Sequence, residues 1–397
     1  MTTKVHNFDE IIVRRGTDAK KYDPNLYGPE VLPMWIADTD FNAPQEIIDV
    51  VCERAKHGAY GYPYNDIKFE KSVQRWMDVR FNTKIDYNWV EHVTGVIPGV
   101  IFAVRALSNV GDNIVLQTPI YPPLRELVHN NDRVLLENKL DLIDGRYEIN
   151  FELLEEQLKD EKTKIMIICS PHNPSGRVFT KEELKRMTDL CIKYDVYIIC
   201  DEIHCDLAYD GHEHTPIIAI SEEVANRTVM SINPSKTFNI AGHRTACLIT
   251  PNEEIRKAVR KQVVANKAYG RTIMGVATFV EAYTNCDYYA DQLMDYIQIN
   301  MELVDTFLKE NVPAVKLIKP EATYLLWLDF RELGLTQDEL KKFLVEEAKV
   351  GLNDGTSFGV EGTGFMRLNI AAPKSVVQEG LNRIAKAVNE FLAAKEA

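Results

Sequence analysis

At 397 residues the chain is longer than one typical domain, and 45% hydrophobic residues are enough for a substantial buried core. Its 46 basic and 59 acidic residues leave a net charge of −13, which argues against nucleic acid or an anionic membrane surface as a partner. An anionic ligand would have to be held by a local cationic pocket.

Residues 1–10 lack the apolar core of a secretion signal, and no run approaches the ~18 apolar residues of a membrane span. Seven cysteines are scattered without a CxxC pair, and Cys169 and Cys200 lie inside apolar runs. Buried thiols in a reducing cytosol, and hence a cytoplasmic protein, are the expectation. Tyr60-Gly61-Tyr62 falls in a Gly/Tyr/Pro loop, and Gly95-Val96-Ile97-Pro98-Gly99-Val100 precedes a helical pattern through Ile101, Val104 and Leu107. Short apolar runs follow at residues 113–117, 134–137, 164–170, 196–201, 228–232 and 246–250. They are continuous, bounded by Gly, Pro, Asn or Asp, and read as strands buried on both faces of a mostly parallel sheet. Thr180-Lys181-Glu182-Glu183 is a capping-box pattern opening a helix through Leu184, Met187 and Cys191. After about residue 285 the pattern changes to a long helix (289–310), a strand (324–330), a helix from Gln337, a strand (364–370) and a closing helix from Ser375. The expected organisation is α/β: a large domain (46–284), a smaller α+β domain (285–397), and a segment (1–45) packing with the smaller one.

Three pieces of chemistry follow strand ends, where sheets of this kind bind ligands. Ser170-Pro171-His172-Asn173-Pro174-Ser175-Gly176-Arg177 holds an Asn in a Pro/Gly loop. Asp201 ends an apolar strand, with His204 three residues on. Asn233-Pro234-Ser235-Lys236-Thr237-Phe238-Asn239 places one lysine in a small polar setting. A partly desolvated lysine among other cationic groups becomes a nucleophilic amine able to form a Schiff base. Pyridoxal phosphate (PLP) needs such an amine for its aldehyde, a carboxylate for its ring nitrogen, and donors for its ring oxygen and phosphate. Lys236, Asp201 and Asn173 meet those needs in that order. His204 serves the ring oxygen or is a satisfied structural histidine. The glycine turn before residue 101 is a ready phosphate site at a helix N-terminus. Arg244 either adds a fixed charge to the phosphate or is an exposed loop arginine. Tyr121 either stacks on the cofactor ring or packs the core. Arg367, a charge inside an apolar strand, needs a partner, and a substrate carboxylate suits it. Tyr62 reaches this site only by folding across, from a second subunit.

With these residues in place the chain resembles the fold-type-I PLP enzymes of aminotransferase class I/II. Within them it is similar to the MalY/PatB-type carbon–sulfur β-lyases, the group that contains cystathionine β-lyases and cystalysin. The likeness runs from Leu32-Pro33-Met34-Trp35-Ile36-Ala37-Asp38-Thr39-Asp40-Phe41 nearly to the C-terminus. Its most specific pieces are residues 169–177, Asp201-Glu202-Ile203-His204, residues 234–242 and Gly364-Phe365-Met366-Arg367-Leu368-Asn369. The resemblance implies a sheet of the seven-stranded type flanked by helices, Lys236 as the Schiff-base lysine and Asp201 at the ring nitrogen. It also implies Asn173 at the ring oxygen, Tyr121 on the ring, the Gly99 and Val100 amides on the phosphate, and Ser235 at the cofactor. Arg367 and Ala37 would meet the substrate, and Tyr62 would come from the neighbouring subunit of a homodimer.

Two positions depart from the lyase pattern. Arginine at position 244 is commoner among the aminotransferases, and Lys267-Ala268-Tyr269-Gly270-Arg271-Thr272 brings a second cationic group. The reading is therefore a β-lyase acting on cystathionine-like amino acids, with an aminotransferase as one rival. A PLP-holding protein that regulates through a partner is the other.

Overall fold

The computed structural model describes residues 4–64 and 66–396; residues 1–3 of the amino-terminal stretch, Asn65 and Ala397 lie outside it. Seven strands form the main sheet: β1 (Val90–Val93), β2 (Asn113–Thr118), β3 (Val134–Lys139), β4 (Thr163–Cys169), β5 (Tyr197–Asp201), β6 (Thr228–Ile232) and β7 (Ala246–Ile249). Their spatial order is β1-β7-β6-β5-β4-β2-β3. Pairing is parallel from β6 across to β3, while β7 runs antiparallel to both of its neighbours.

The sheet is buried on both faces because its strands are apolar on both faces. Ile165 and Ile167 of β4 face one core, with Val100 and Val104 of helix Val96–Leu107 and Val259 and Val263 of helix Glu253–Ala265. Met166 and Ile168 face the other core, with Leu184 and Met187 of helix Lys181–Lys193. That helix starts where its capping box predicts. Thr180 Oγ1 accepts the Glu183 N–H at 3.1 Å, and Glu183 Oε2 accepts the Thr180 N–H at 2.8 Å.

A second, antiparallel sheet is ordered Lys316–Ile318, Leu325–Asp329, Phe365–Asn369, Asn353–Asp354. Helix Asp287–Asn311 packs beside it, burying Tyr289, Leu293, Ile297, Met301, Val304 and Leu308, a one-sided stripe at helical spacing. The amino-terminal segment joins this region. Leu32 and Pro33 pair in parallel with Val350 and Gly351. Among the described residues no helix is long and apolar enough to cross a membrane.

The two sheets meet at the Asn173 loop. Gly176 sits at φ +71°, and a Cβ there would come within 2.6 Å of Pro320 Cβ, so the loop needs glycine for both reasons. Next to it the buried Arg177 grips Glu183 at 2.8 and 2.7 Å and Glu321 at 3.2 Å. Arg177→Met, which leaves these carboxylates without their shared cation, is expected to lower stability by about 3 kcal/mol. Chemical denaturation checks this through the shift of the midpoint at unchanged slope.

Candidate active site

A cavity of about 290 Å³ opens at the carboxyl ends of β4, β5 and β6, lined there by Cys169, Asp201 and Asn233. Asn173, His204, Ser235, Lys236, Tyr121, Arg244 and Ala37 line it as well. Residues from Thr94 to Arg244 thus share one wall because the strands deliver successive loops to the same sheet edge, while Ala37 reaches it from the amino-terminal segment.

Lys236 is half-buried and donates from Nζ to the Ala37 carbonyl at 2.7 Å. Burial, and then the charge of Arg367, lower its pKa to about 8, against the opposing pull of Asp38 and Asp201. The amine therefore keeps its proton for the most part near neutral pH but releases it far more readily than an ordinary lysine. Asp201 ends β5 beside Cys169 of β4 and Ser231 of β6. Its Oδ1 accepts the Ile203 N–H at 3.2 Å and lies 3.4 Å from Ser231 Oγ. Burial raises this carboxyl to about 6. A cationic partner would return it to the ionised form.

Arg367 is buried in the second sheet. Nη1 donates to Asn173 Oδ1 at 3.0 Å, and Nη2 donates to the Trp35 carbonyl and to Asn353 Oδ1, both at 3.0 Å. The Phe358 ring lies 4.8 Å from the guanidinium carbon. Burial lowers its pKa to about 10. Nε is buried with no partner among the described residues, and Arg367 reaches the cavity wall only through its bond to Asn173. His204 is buried, T-shaped against Tyr324 at 6.4 Å, with Nδ1 likewise unpartnered. Burial and the charge of Lys236 hold it neutral. Tyr121 caps the start of helix Pro122–His129, and burial raises its phenol pKa. Ser235 is buried, its N–H donating to Asn233 Oδ1 at 2.9 Å. Arg244 is exposed, at φ 49°, and makes no ion pair among the described residues.

Four expected positions, Gly99, Val100, Tyr62 and Arg367, lie off the cavity wall. Gly99 and Val100 do not line the cavity. The Gly99 N–H donates to the Gly95 carbonyl at 3.1 Å, and Val100 is a turn deep in the same helix and fully buried. Gly99 instead permits close packing: a Cβ there would meet Leu248 at 3.0 Å. The donors that face the cavity belong to the first turn. Gly95, at φ +150°, turns the chain, and the amides of Val96 and Ile97 are the free ones, Pro98 having none. The motif was visible in the sequence, but only the position of the helix start separates its free amides from its spent ones. Tyr62 is fully exposed, in a surface depression with Arg271 and Met274, separate from the cavity within this chain. Arg271 is ion-paired with Glu70 and lies over the Phe69 ring at 5.0 Å, so it adds no cation to the cavity. The sequence also missed Ser231, whose only signal is one hydroxyl inside an apolar strand, and Asn353, which lies in register beside Arg367.

Residues 34–384 match the family model described as aminotransferase class I and II. The chain belongs to this family. Within the aminotransferase class I and II family, it is 39% identical to cystathionine beta-lyase PatB of Bacillus subtilis (strain 168). That match covers 96% of this chain and 100% of PatB. Protein MalY of Escherichia coli (strain K12) is 29% identical over 96% of this chain and 98% of its own. Cystalysin from Treponema denticola, whose structure contains a pyridoxal 5′-phosphate cofactor, superimposes with a TM-score of 0.94 at 35% identity, covering 98% of this chain and 100% of that one.

Proposed function

We propose that this family member is a PLP-dependent carbon–sulfur β-lyase, cleaving the Cβ–S bond of cystathionine-like or cysteine S-conjugate amino acids to release a thiol, pyruvate and ammonia. The observation that carries it is the pairing, across one cavity, of a buried carboxylate (Asp201) with a lysine whose pKa burial lowers to about 8 (Lys236), with Arg367 bonded to Asn173 of the cavity wall. The similarity to a cystathionine beta-lyase over the full length of both chains supports the same reading.

The donor set fits PLP. Two free helix-start amides and Arg244 suit a phosphate, the unpartnered His204 Nδ1 and the Asn173 side chain suit a ring oxygen, and Asp201 suits a protonated ring nitrogen. When bound, the cofactor supplies an aldehyde for the substrate amine and a cationic ring that withdraws electrons from the substrate Cα. Asp201 holds the proton at the ring nitrogen. Arg367 binds the substrate carboxylate and, fixed by Asn173, Trp35 and Asn353, orients the Cα–H toward Lys236. Neutral Lys236 Nζ takes the Cα proton. We place the protein in the cytoplasm as a homodimer in which Tyr62 of one protomer reaches the other's cavity. The large domain is assigned to residues 46–284, between an amino-terminal segment and a smaller domain.

The transaminase rival loses one of its two supports, since Arg271 is committed to Glu70. Cystathionine supplied without a keto acid separates the two reactions. Sustained release of thiol and pyruvate is the expected result. A stop after one equivalent, with the cofactor left as its amine form, would decide for transamination.

A further inference from the structure

Residues 36–41 run past Lys236 as a strap whose carbonyls are held one by one. Asn369 Nδ2 donates to the Ile36 and Asp38 carbonyls, both at 2.6 Å, and Asn239 Nδ2 donates to those of Thr39 and Phe41, both at 3.0 Å. The Ala37 carbonyl receives Lys236 itself. Asn239 is three residues from Lys236, and Asn369 two from Arg367, so the strap ties the amine's loop to the carboxylate-binding strand. Two charged side chains also enter from upstream. Arg14 donates to Asp38 Oδ2 at 2.6 Å, Asp40 Oδ1 at 2.7 Å and the Thr39 carbonyl at 3.0 Å. Lys21, 1% exposed, holds the other oxygen of Asp40 at 2.6 Å.

We propose that Arg14, which does not line the cavity, is a positioning residue for Lys236: by pairing with Asp38 and gripping the strap it fixes both an anion and the Ala37 carbonyl beside the amine, and so sets the pH range in which Lys236 is free to accept a proton. This rests on the reading of Lys236 as the base. The charged and titratable groups facing Lys236 are Asp201 from β5, Arg367 from the second sheet, Asp38 from the strap, neutral His204, and Tyr324, whose hydroxyl lies 3.4 Å from the Lys236 carbonyl. Asp38 faces Arg14 and Tyr324, while Asp40 faces Arg14, Lys21 and Tyr22. Asp38 Oδ1 is buried without a partner, so Arg14 is the cation that answers this carboxylate. With Arg14 gone, the Asp38 charge is no longer answered and acts more fully on the Lys236 ammonium, so the amine keeps its proton to higher pH.

The test uses full-length, cofactor-free protein. Amines are labelled with limiting acetic anhydride across a pH series, and the Lys236 peptide is read by mass spectrometry. Arg14→Gln is expected to raise the Lys236 midpoint, roughly a tenfold gain in proton affinity. Asp38→Asn lowers it, the double variant returns close to wild type, and Arg14→Lys stays there. An unmoved midpoint in a folded Arg14→Gln protein overturns the proposal, as does a double variant still shifted like Arg14→Gln. If Arg14→Gln does not fold, Asp38→Asn alone decides, and a midpoint unmoved or raised is fatal. Labelling needs no turnover, so it reads Arg14 even if the product assay rules against the lyase reaction.

Discussion

Lys236→Ala is expected to stop turnover and to leave a protein that holds pyridoxal phosphate without the absorption band of the lysine-bound form. Two losses combine. Removing a positioned general base costs on the order of 10²–10⁴-fold, and the covalent attachment that orients the cofactor disappears as well. The combined loss should reach at least about 10⁴-fold in kcat/KM. Lys236→Arg should fare no better, because a guanidinium stays protonated at any working pH. Arg367 and Asp201 remain in place in both variants, so binding of an unreactive amino acid should survive. Pyruvate release at the wild-type rate from Lys236→Ala would remove the amine from the reaction.

Asp201→Asn is the second large effect expected. The side chain keeps its size and its acceptor for the Ile203 N–H, but the negative charge is gone. A neutral amide cannot hold a proton on the ring nitrogen, so the ring loses its pull on the substrate Cα. Loss of one preorganised electrostatic partner costs on the order of 10²–10³-fold in kcat. KM should change little, since the substrate carboxylate contact is proposed for Arg367. An activity loss confined to KM would assign Asp201 to binding instead.

The main sheet was legible in the sequence because each of six strands is a continuous apolar run with a turn residue at its end. β1 was not, since Glu91 and His92 interrupt it and it pairs only with β7. The antiparallel direction of β7 was equally hidden, as a four-residue buried strand reads the same both ways. In the site, residues on strand-end loops were found because the sheet edge gathers them whatever the intervening lengths. Gly99 and Val100 proved to lie one turn beyond the amides that face the cavity, a distinction that depends on which amides the helix has already used. Arg14 left no trace, for its meaning lies in two aspartates that share one backbone strap with Ala37.

The strap also bears on how the protein is made. Its anchors are Asn239 and Asn369, and the guanidinium that completes the pocket is at position 367. Until that strand has left the ribosome's exit tunnel, residues 36–41 lack the two Asn369 bonds that hold the Ile36 and Asp38 carbonyls. Completion of the pocket therefore awaits translation past residue 369, and a chain stopped before that position is expected to capture the vitamin poorly.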